Sequence, residues 1–274
     1  MKKLNMKNVI SYLVLTAGAL MFVYPFIWMF SASVAQEKEI TDLVLLPGSF
    51  SMDNYLQVVN KIPAFRALLN SIIVSAIVTA GAVIFTSMVG YALAHLEFRG
   101  RQSLFYLIIF TMSIPFQITL IPQYILMVEF RWIDTFFALT VPYFLNGLGI
   151  IMFRQYFRSI PKDMIDAARI DGCGEFRILF SIVLPNSVPA IITIGIITFM
   201  GSWNEVLWPI IVIRDQNLMT MPQLIALFAV GGRAESQLGV KLASATMLAL
   251  PIIVAYTFFQ KYFIQSMAST GLKE

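Results

Sequence analysis

Cysteine and histidine are nearly missing from this chain, which holds one of each, Cys173 and His95, in 274 residues. A single thiol excludes an internal disulfide and any site built on thiol pairs at metal spacing. A single imidazole excludes a metal centre made of several histidines, and a catalytic dyad or triad has little to be built from. No G-x-x-x-x-G-K-[ST] loop occurs, so the chain lacks the usual device for cradling ATP phosphates. Charge is scarce too, at 12% of residues against about 25% in soluble domains. The net charge of +4 comes with no basic patch interleaved with aromatics, which gives no support for nucleic-acid binding. No catalytic residue and no metal ligand is assigned.

Apolar residues fill the space, at 58% of the chain. A run of about 20 apolar residues crosses the hydrocarbon core of a bilayer as a helix. Six stretches qualify: Val9–Val34, Leu68–Ala94, Ser103–Val128, Phe136–Phe157, Ser187–Ile213 and Leu242–Ile264. Each is expected to be helical, because open strands leave backbone groups unsatisfied in lipid. The fold class is therefore an all-α polytopic membrane protein with six transmembrane helices. Lys2, Lys3 and Lys7 precede the first stretch, yet it outruns the apolar region of about 7–15 residues found in a signal peptide. It is read as a retained span.

The cations set the orientation. Alternate loops divide the Lys and Arg residues twelve to seven, with the larger group including Lys2, Arg99, Arg158, Arg169, Lys261 and Lys273. The positive-inside bias places that group, and both termini, in the cytoplasm.

Between Arg154 and Arg177 this apolar chain carries five basic residues, four acids and two glycines. Ser159 is a candidate helix cap, Pro161 suits a first turn, and Asp163 suits the positive end of the helix dipole. Met164, Ala167 and Ala168 are expected on one face, and Gly172 and Gly174 break the helix. Phe176, Leu179, Phe180 and Val183 follow at the spacing of an apolar stripe, and Pro185 closes it. Two short helices joined by a glycine corner, with small residues on the first, suit docking of a partner. The same spacing also fits an interfacial loop whose charges face water.

"DAARIDGCGEFRILFSIVLP" (Asp166–Pro185) resembles the EAA motif, E-A-A-x-x-x-G followed by L-P, of permease subunits in binding-protein-dependent ABC importers. Ala167, Ala168, Gly172, Leu184 and Pro185 match as they stand, and Asp166 replaces the usual Glu with a side chain one methylene shorter. "NSIIVSAIVTAGAVIFTSMVGYALAHLEFRGR", "IPFQITLIPQYI", "FRQYFRSIPKDMIDAARIDG" and "GSWNEVLWPIIV" resemble the maltose-type carbohydrate permeases, in the family's order and over nearly the whole chain after Pro25. The resemblance is to the shorter, six-span partner of a permease pair, with a type I ABC importer permease fold over 1–274.

The resemblance implies a cytoplasmic coupling loop at 158–185, in which Asp166, Ala167, Ala168, Gly172, Leu184 and Pro185 engage a cleft on an ATPase. It further implies a second permease subunit, an ATPase dimer that binds ATP and Mg in place of this chain, and a solute-binding protein outside. The site is the plasma (inner) membrane of a bacterium or archaeon, among lipid. Loop 214–241, read from the residues alone as a connecting loop with "PQLIALF" as a short surface helix and Gly231–Gly232 as a hinge, is implied by the resemblance to face the binding protein. The tail around Lys261 and Lys273 either touches the ATPases or anchors at the headgroups.

Trp203, Asn204 and Glu205 lie inside the fifth stretch, where polar groups usually face a cavity or another chain. They are candidates for the substrate path, with Trp203 free to stack on a sugar face; the other reading holds neighbouring helices together. Six prolines fall within spans, of which Pro209 is the candidate for gating. His95 reads as part of a solvated turn. The competing function, a secondary transporter working without an ATPase, usually shows internal repeats and midplane carboxylates. No convincing repeat is found, and Glu205 is the one clear buried acid.

Overall fold

A computed structural model of the chain describes residues 6–41, 48, 50–230 and 237–271. Every regular element among them is helical. In order, these are α1 (Met6–Ser33), α2 (Glu37–Thr41), α3 (Asp53–Lys61), α4 (Ala64–His95), α5 (Arg101–Met112), α6 (Phe116–Glu129), α7 (Phe136–Thr140) and α8 (Gly147–Phe157). Two short helices, α9 (Lys162–Ile170) and α10 (Glu175–Ile178), precede α11 (Val188–Trp203), α12 (Leu207–Val212), α13 (Met221–Val230) and α14 (Leu238–Gly271).

Three helices among the described residues are long and apolar enough to cross a membrane: Val9–Ser33, Ala64–His95 and Pro185–Trp203. The expected third span is not a straight rod, because the chain turns by 102° between α5 and α6. Pro115 stands at that corner in an extended conformation, φ −60° and ψ 134°. Its ring removes a donor and drives Ile114 out of helical geometry, so α5 cannot run on. Pro122 sits inside α6 without breaking it. The expected fourth span bends by 42° between Phe136–Tyr143 and Gly147–Phe157. There Asn146 restarts the helix, its Oδ1 accepting from Gly149 N–H at 2.7 Å. The expected fifth span divides at Asn204–Val206 into α11 and α12, and the sixth lies within α14.

The chain forms two compact units, Arg66–Gln223 with Ile252–Glu274, and Met1–Phe65 with Leu224–Pro251. In the second of these, Asn54 Nδ2 donates to the carbonyls of Ser33 and Ala35 at 3.0 and 2.9 Å, occupying acceptors left open where α1 ends. The Glu37 carboxylate accepts from the N–H groups of Leu238 and Gly239, an anion at a helix N-terminus. Most of α1 keeps its apolar side chains exposed.

Among the described residues the larger unit has two apolar clusters. One joins Val74 and Val78 of α4 to Met127, Ala138, Leu139, Trp208 and Val212, and Trp208 Nε1 donates to the Ala138 carbonyl at 2.8 Å. The other packs Tyr91 against Phe153, Phe157, Ile165, Ala168, Ile178 and Leu179. The second cluster depends on Gly90, where a Cβ would lie 2.7 Å from Phe153 Cβ and 3.1 Å from the Arg154 nitrogen. Only glycine lets α4 and α8 approach so closely.

Candidate functional site

The charged stretch becomes a helix, a corner and a widened helix. Pro161 stands before α9 with φ −57° and ψ 129°, and Asp163 lies in the first turn, where a carboxylate suits the helix dipole. Ser159 does not cap α9 as the sequence suggests. Its hydroxyl donates to the Tyr156 carbonyl at 2.6 Å, three residues back, and so serves the end of α8. At the other end, Cys173 N–H donates to Ala168 O and Gly172 N–H to Arg169 O, both at 3.0 Å. This is a Schellman closure, and Gly172 takes the left-handed position it requires, with φ +82°. A Cβ at Gly172 would meet nothing within 4 Å. The demand for glycine there is conformational, not steric.

After α10 the helix widens into a π turn over Leu179–Val183, closed by Leu184 N–H on Leu179 O at 2.9 Å. Pro185 then opens a 3-10 turn. Side chains take up carbonyls around this break: Asn186 Nδ2 donates to Ile182 O and Ser187 Oγ to Val183 O, both at 2.7 Å. Leu184 and Pro185 thus form the junction between the element and α11.

The apolar residues split into two faces. Ile165 and Ala168, three residues apart, turn inward, as do Leu179 and Val183, four apart. Met164 and Ala167 turn outward, joined by Ile170 (87% exposed), Phe176 (67%) and Phe180. The expected single stripe of Phe176, Leu179, Phe180 and Val183 is therefore two stripes, one packed and one open. Asp166, Gly172 and Pro185 are exposed as Ala167 is, Leu184 is partly buried, and Ala168 is buried.

Charge links the parts. Arg169 donates through Nε and Nη2 to the two oxygens of Glu175, at 2.8 and 3.2 Å, and through Nη1 to Asp166 Oδ1 at 3.0 Å. The Tyr91 hydroxyl donates to Glu175 Oε2. The Arg169 hydrogen bond is the largest influence holding the Glu175 carboxyl below its ordinary range; burial opposes it and the Tyr91 hydrogen bond assists. The same hydrogen bond raises Arg169 above its usual value. A cavity of about 390 Å³ lies alongside, lined by His95, Glu97, Lys162, Asp166, Arg169 and Glu175 among others. His95 is partly buried, not a free turn residue: its Nε2 donates to the Phe157 carbonyl at 2.9 Å.

Trp203 ends α11 with 1% of its surface exposed, its ring stacked on Phe199 at 6.0 Å. That face is covered, so in this conformation it is not open to a sugar. Asn204 is exposed and donates through Nδ2 to Met200 O at 2.8 Å. Glu205, partly buried, accepts the Trp208 N–H at 3.2 Å, one of the donors left open in the first turn of α12. Pro209 stands in that first turn too, where its missing donor leaves nothing unpaired.

Within 214–241, "PQLIALF" is helical as part of α13 but not a surface helix. Met221 and Gln223 are fully buried; Met221 N–H donates to Ser71 Oγ and Gln223 Nε2 to Ile213 O. Gly231–Gly232 and Lys273 lie outside the described residues, and α14 carries Lys261.

Sequence reasoning missed the roles of Tyr91, Arg169 and Glu175. The opposite charges of Arg169 and Glu175, six residues apart, are a visible signal. The glycine corner between them hides the pairing, since no helical period joins positions across a break.

The fold and this element define an all-α membrane subunit that presents an open apolar face on a short, charged two-helix segment. The family model described as "Binding-protein-dependent transport system inner membrane component" matches residues 82–269. The chain is 32% identical to the arabinooligosaccharides transport system permease protein AraQ of Halalkalibacterium halodurans, over 93% of this chain and 92% of that one. It is 28% identical to the sn-glycerol-3-phosphate transport system permease protein UgpE of Brucella abortus, over 96% of each. A chain in the crystal structure of a bacterial ABC transporter involved in the import of the acidic polysaccharide alginate superposes with TM-score 0.82, at 25% identity and over 96% and 98% of the two chains. The chain belongs to the family of binding-protein-dependent transport system inner membrane components. It is a transport permease subunit of the ABC importer class, not an enzyme.

Proposed function

We propose that this chain is one half of a permease heterodimer in the plasma membrane of a bacterium or archaeon, crossing it several times with both termini in the cytoplasm. A cytoplasmic ATPase dimer binds ATP and Mg, and a solute-binding protein delivers a sugar or oligosaccharide from outside. The open stripe of Met164, Ala167, Ile170, Phe176 and Phe180 carries this reading. On the cytoplasmic side those side chains meet water, a state that favours burial against a partner. Closure of the ATPases draws the coupling element with it and turns an inward-facing cavity outward.

A carbohydrate substrate is supported by the relatives named for arabinooligosaccharides and for polygalacturonan/rhamnogalacturonan, and by the structural neighbour involved in alginate import. Trp203, Asn204 and Glu205 border the break between α11 and α12 and are assigned to the path, with Asn204 and Glu205 the members best placed to reach it. Segment 214–241 is assigned to contact with the binding protein, and Lys261 and Lys273 to the cytoplasmic end. The test is affinity purification of the tagged chain from gently solubilised native membranes. Recovery of an ATPase, a second permease and a binding protein supports the reading; a lone chain or a homodimer that moves solute without ATP sinks it in favour of a secondary transporter.

A further inference from the structure

The open stripe explains how a partner is held, not how its motion reaches the spans. Resting on the permease reading, we propose that Tyr91, Arg169 and Glu175 are positioning residues, a hydrogen-bonded strut that fixes the coupling element to α4. Glu175 is the first residue of α10 and follows the glycine corner directly. Arg169 lies in the last turn of α9 and grips both Glu175 oxygens across that corner, at 2.8 and 3.2 Å. A two-point guanidinium–carboxylate contact fixes angle as well as distance. Tyr91, 84 residues back in sequence and near the end of α4, donates to the same carboxylate. One carboxylate thereby joins α9, α10 and α4.

The α4 end is tied to α8 in turn. His95 Nε2 donates to Phe157 O at 2.9 Å, and Arg154 Nε reaches Leu93 O at 3.4 Å, its guanidinium 3.8 Å above the Phe105 ring. A push on α9 is thus delivered to α4 and α8 together. The strut contributes little to stability, because the Arg169 and Glu175 side chains are 35% and 39% exposed and such pairs add little in water. Packing of Ile165, Ala168 and Ile178 holds the element in place. What the strut adds is direction.

The test uses the complete transporter in proteoliposomes, measuring solute moved per ATP hydrolysed for wild type, Glu175→Gln, Tyr91→Phe and Glu97→Gln. Glu97 lines the neighbouring cavity and controls for a lost charge there. ATP-dependent uptake by wild type checks the permease reading separately; without it, that reading fails before the strut is tested. Expected for Glu175→Gln is wild-type recovery of the ATPase and retained hydrolysis, with transport per ATP lowered at least about fivefold, the low end for coupling between two sites. Tyr91→Phe, which keeps the ring and loses one hydrogen bond, lowers it less, and Glu97→Gln leaves it unchanged. A wild-type ratio in both strut variants, or a fall only in step with lost ATPase, overturns the proposal. If Glu175→Gln fails to assemble, Tyr91→Phe decides.

Discussion

Gly172 holds φ +82°, where an L side chain costs roughly 1–2 kcal/mol, while Gly174 sits at φ −71° with open space around it. Gly172→Ala is therefore expected to loosen the end of α9 and reduce ATPase retention in a detergent pull-down, with Gly174→Ala close to wild type. Equal loss in both would contradict the backbone argument. Glu205 offers a second separation. Gln at 205 keeps an oxygen able to accept the Trp208 N–H, whereas Ala removes that hydrogen bond, worth about 0.5–1.5 kcal/mol. Lower thermal stability is expected for Glu205→Ala and not for Glu205→Gln, so altered uptake in Glu205→Gln reports on the path and not on the fold. Glu175 adds a pH dependence. Its folded carboxyl is held below its ordinary value, so its contribution is present above the ordinary glutamate range. That contribution is lost as pH falls through the lowered value. The coupling ratio is expected to be flat around neutral pH and to drop in acid, and Glu175→Gln to lack that acid step.

At the scale of elements, exposure separates docking from folding. Ile170 and Phe176 touch little of their own chain, and each is worth about 1.5–3 kcal/mol if buried by a partner. Replacing either with Ala is expected to weaken ATPase binding about tenfold or more with no change in the stability of the permease alone. Ile178 is fully buried, and Ile178→Ala is expected to destabilise the permease itself by about 2–5 kcal/mol. The existence of α9, the glycine corner and α10 was legible from residue types and spacing, as were the C-terminal ends of α1 and α4, while α4 begins four residues before the expected Leu68. The division of the apolar residues into inner and outer stripes was not, because one α-helical stripe was assumed where a π turn widens the helix. The 102° corner at Pro115 was legible only as an irregularity: proline marks where a helix can stop, and packing decides how far the chain turns. The burial of Trp203 against Phe199 was likewise not legible, since tryptophan near a polar pair fits a path and a packed interior equally.

For the whole molecule, apolar composition, the family match and the structural neighbour agree on an importer permease. Much of the unsatisfied apolar surface, including most of α1, awaits lipid or other subunits, which is why a single sequence shows the element and not the assembly around it. The most direct measurement is uptake of labelled carbohydrate into proteoliposomes holding this chain with its co-purified subunits and binding protein. It is made with ATP either supplied to the face carrying the coupling element or withheld, and with ion gradients collapsed by ionophore. Expected is uptake that needs ATP on that face and survives the ionophore. Uptake that proceeds without ATP and stops when the gradient is collapsed would refute the importer reading.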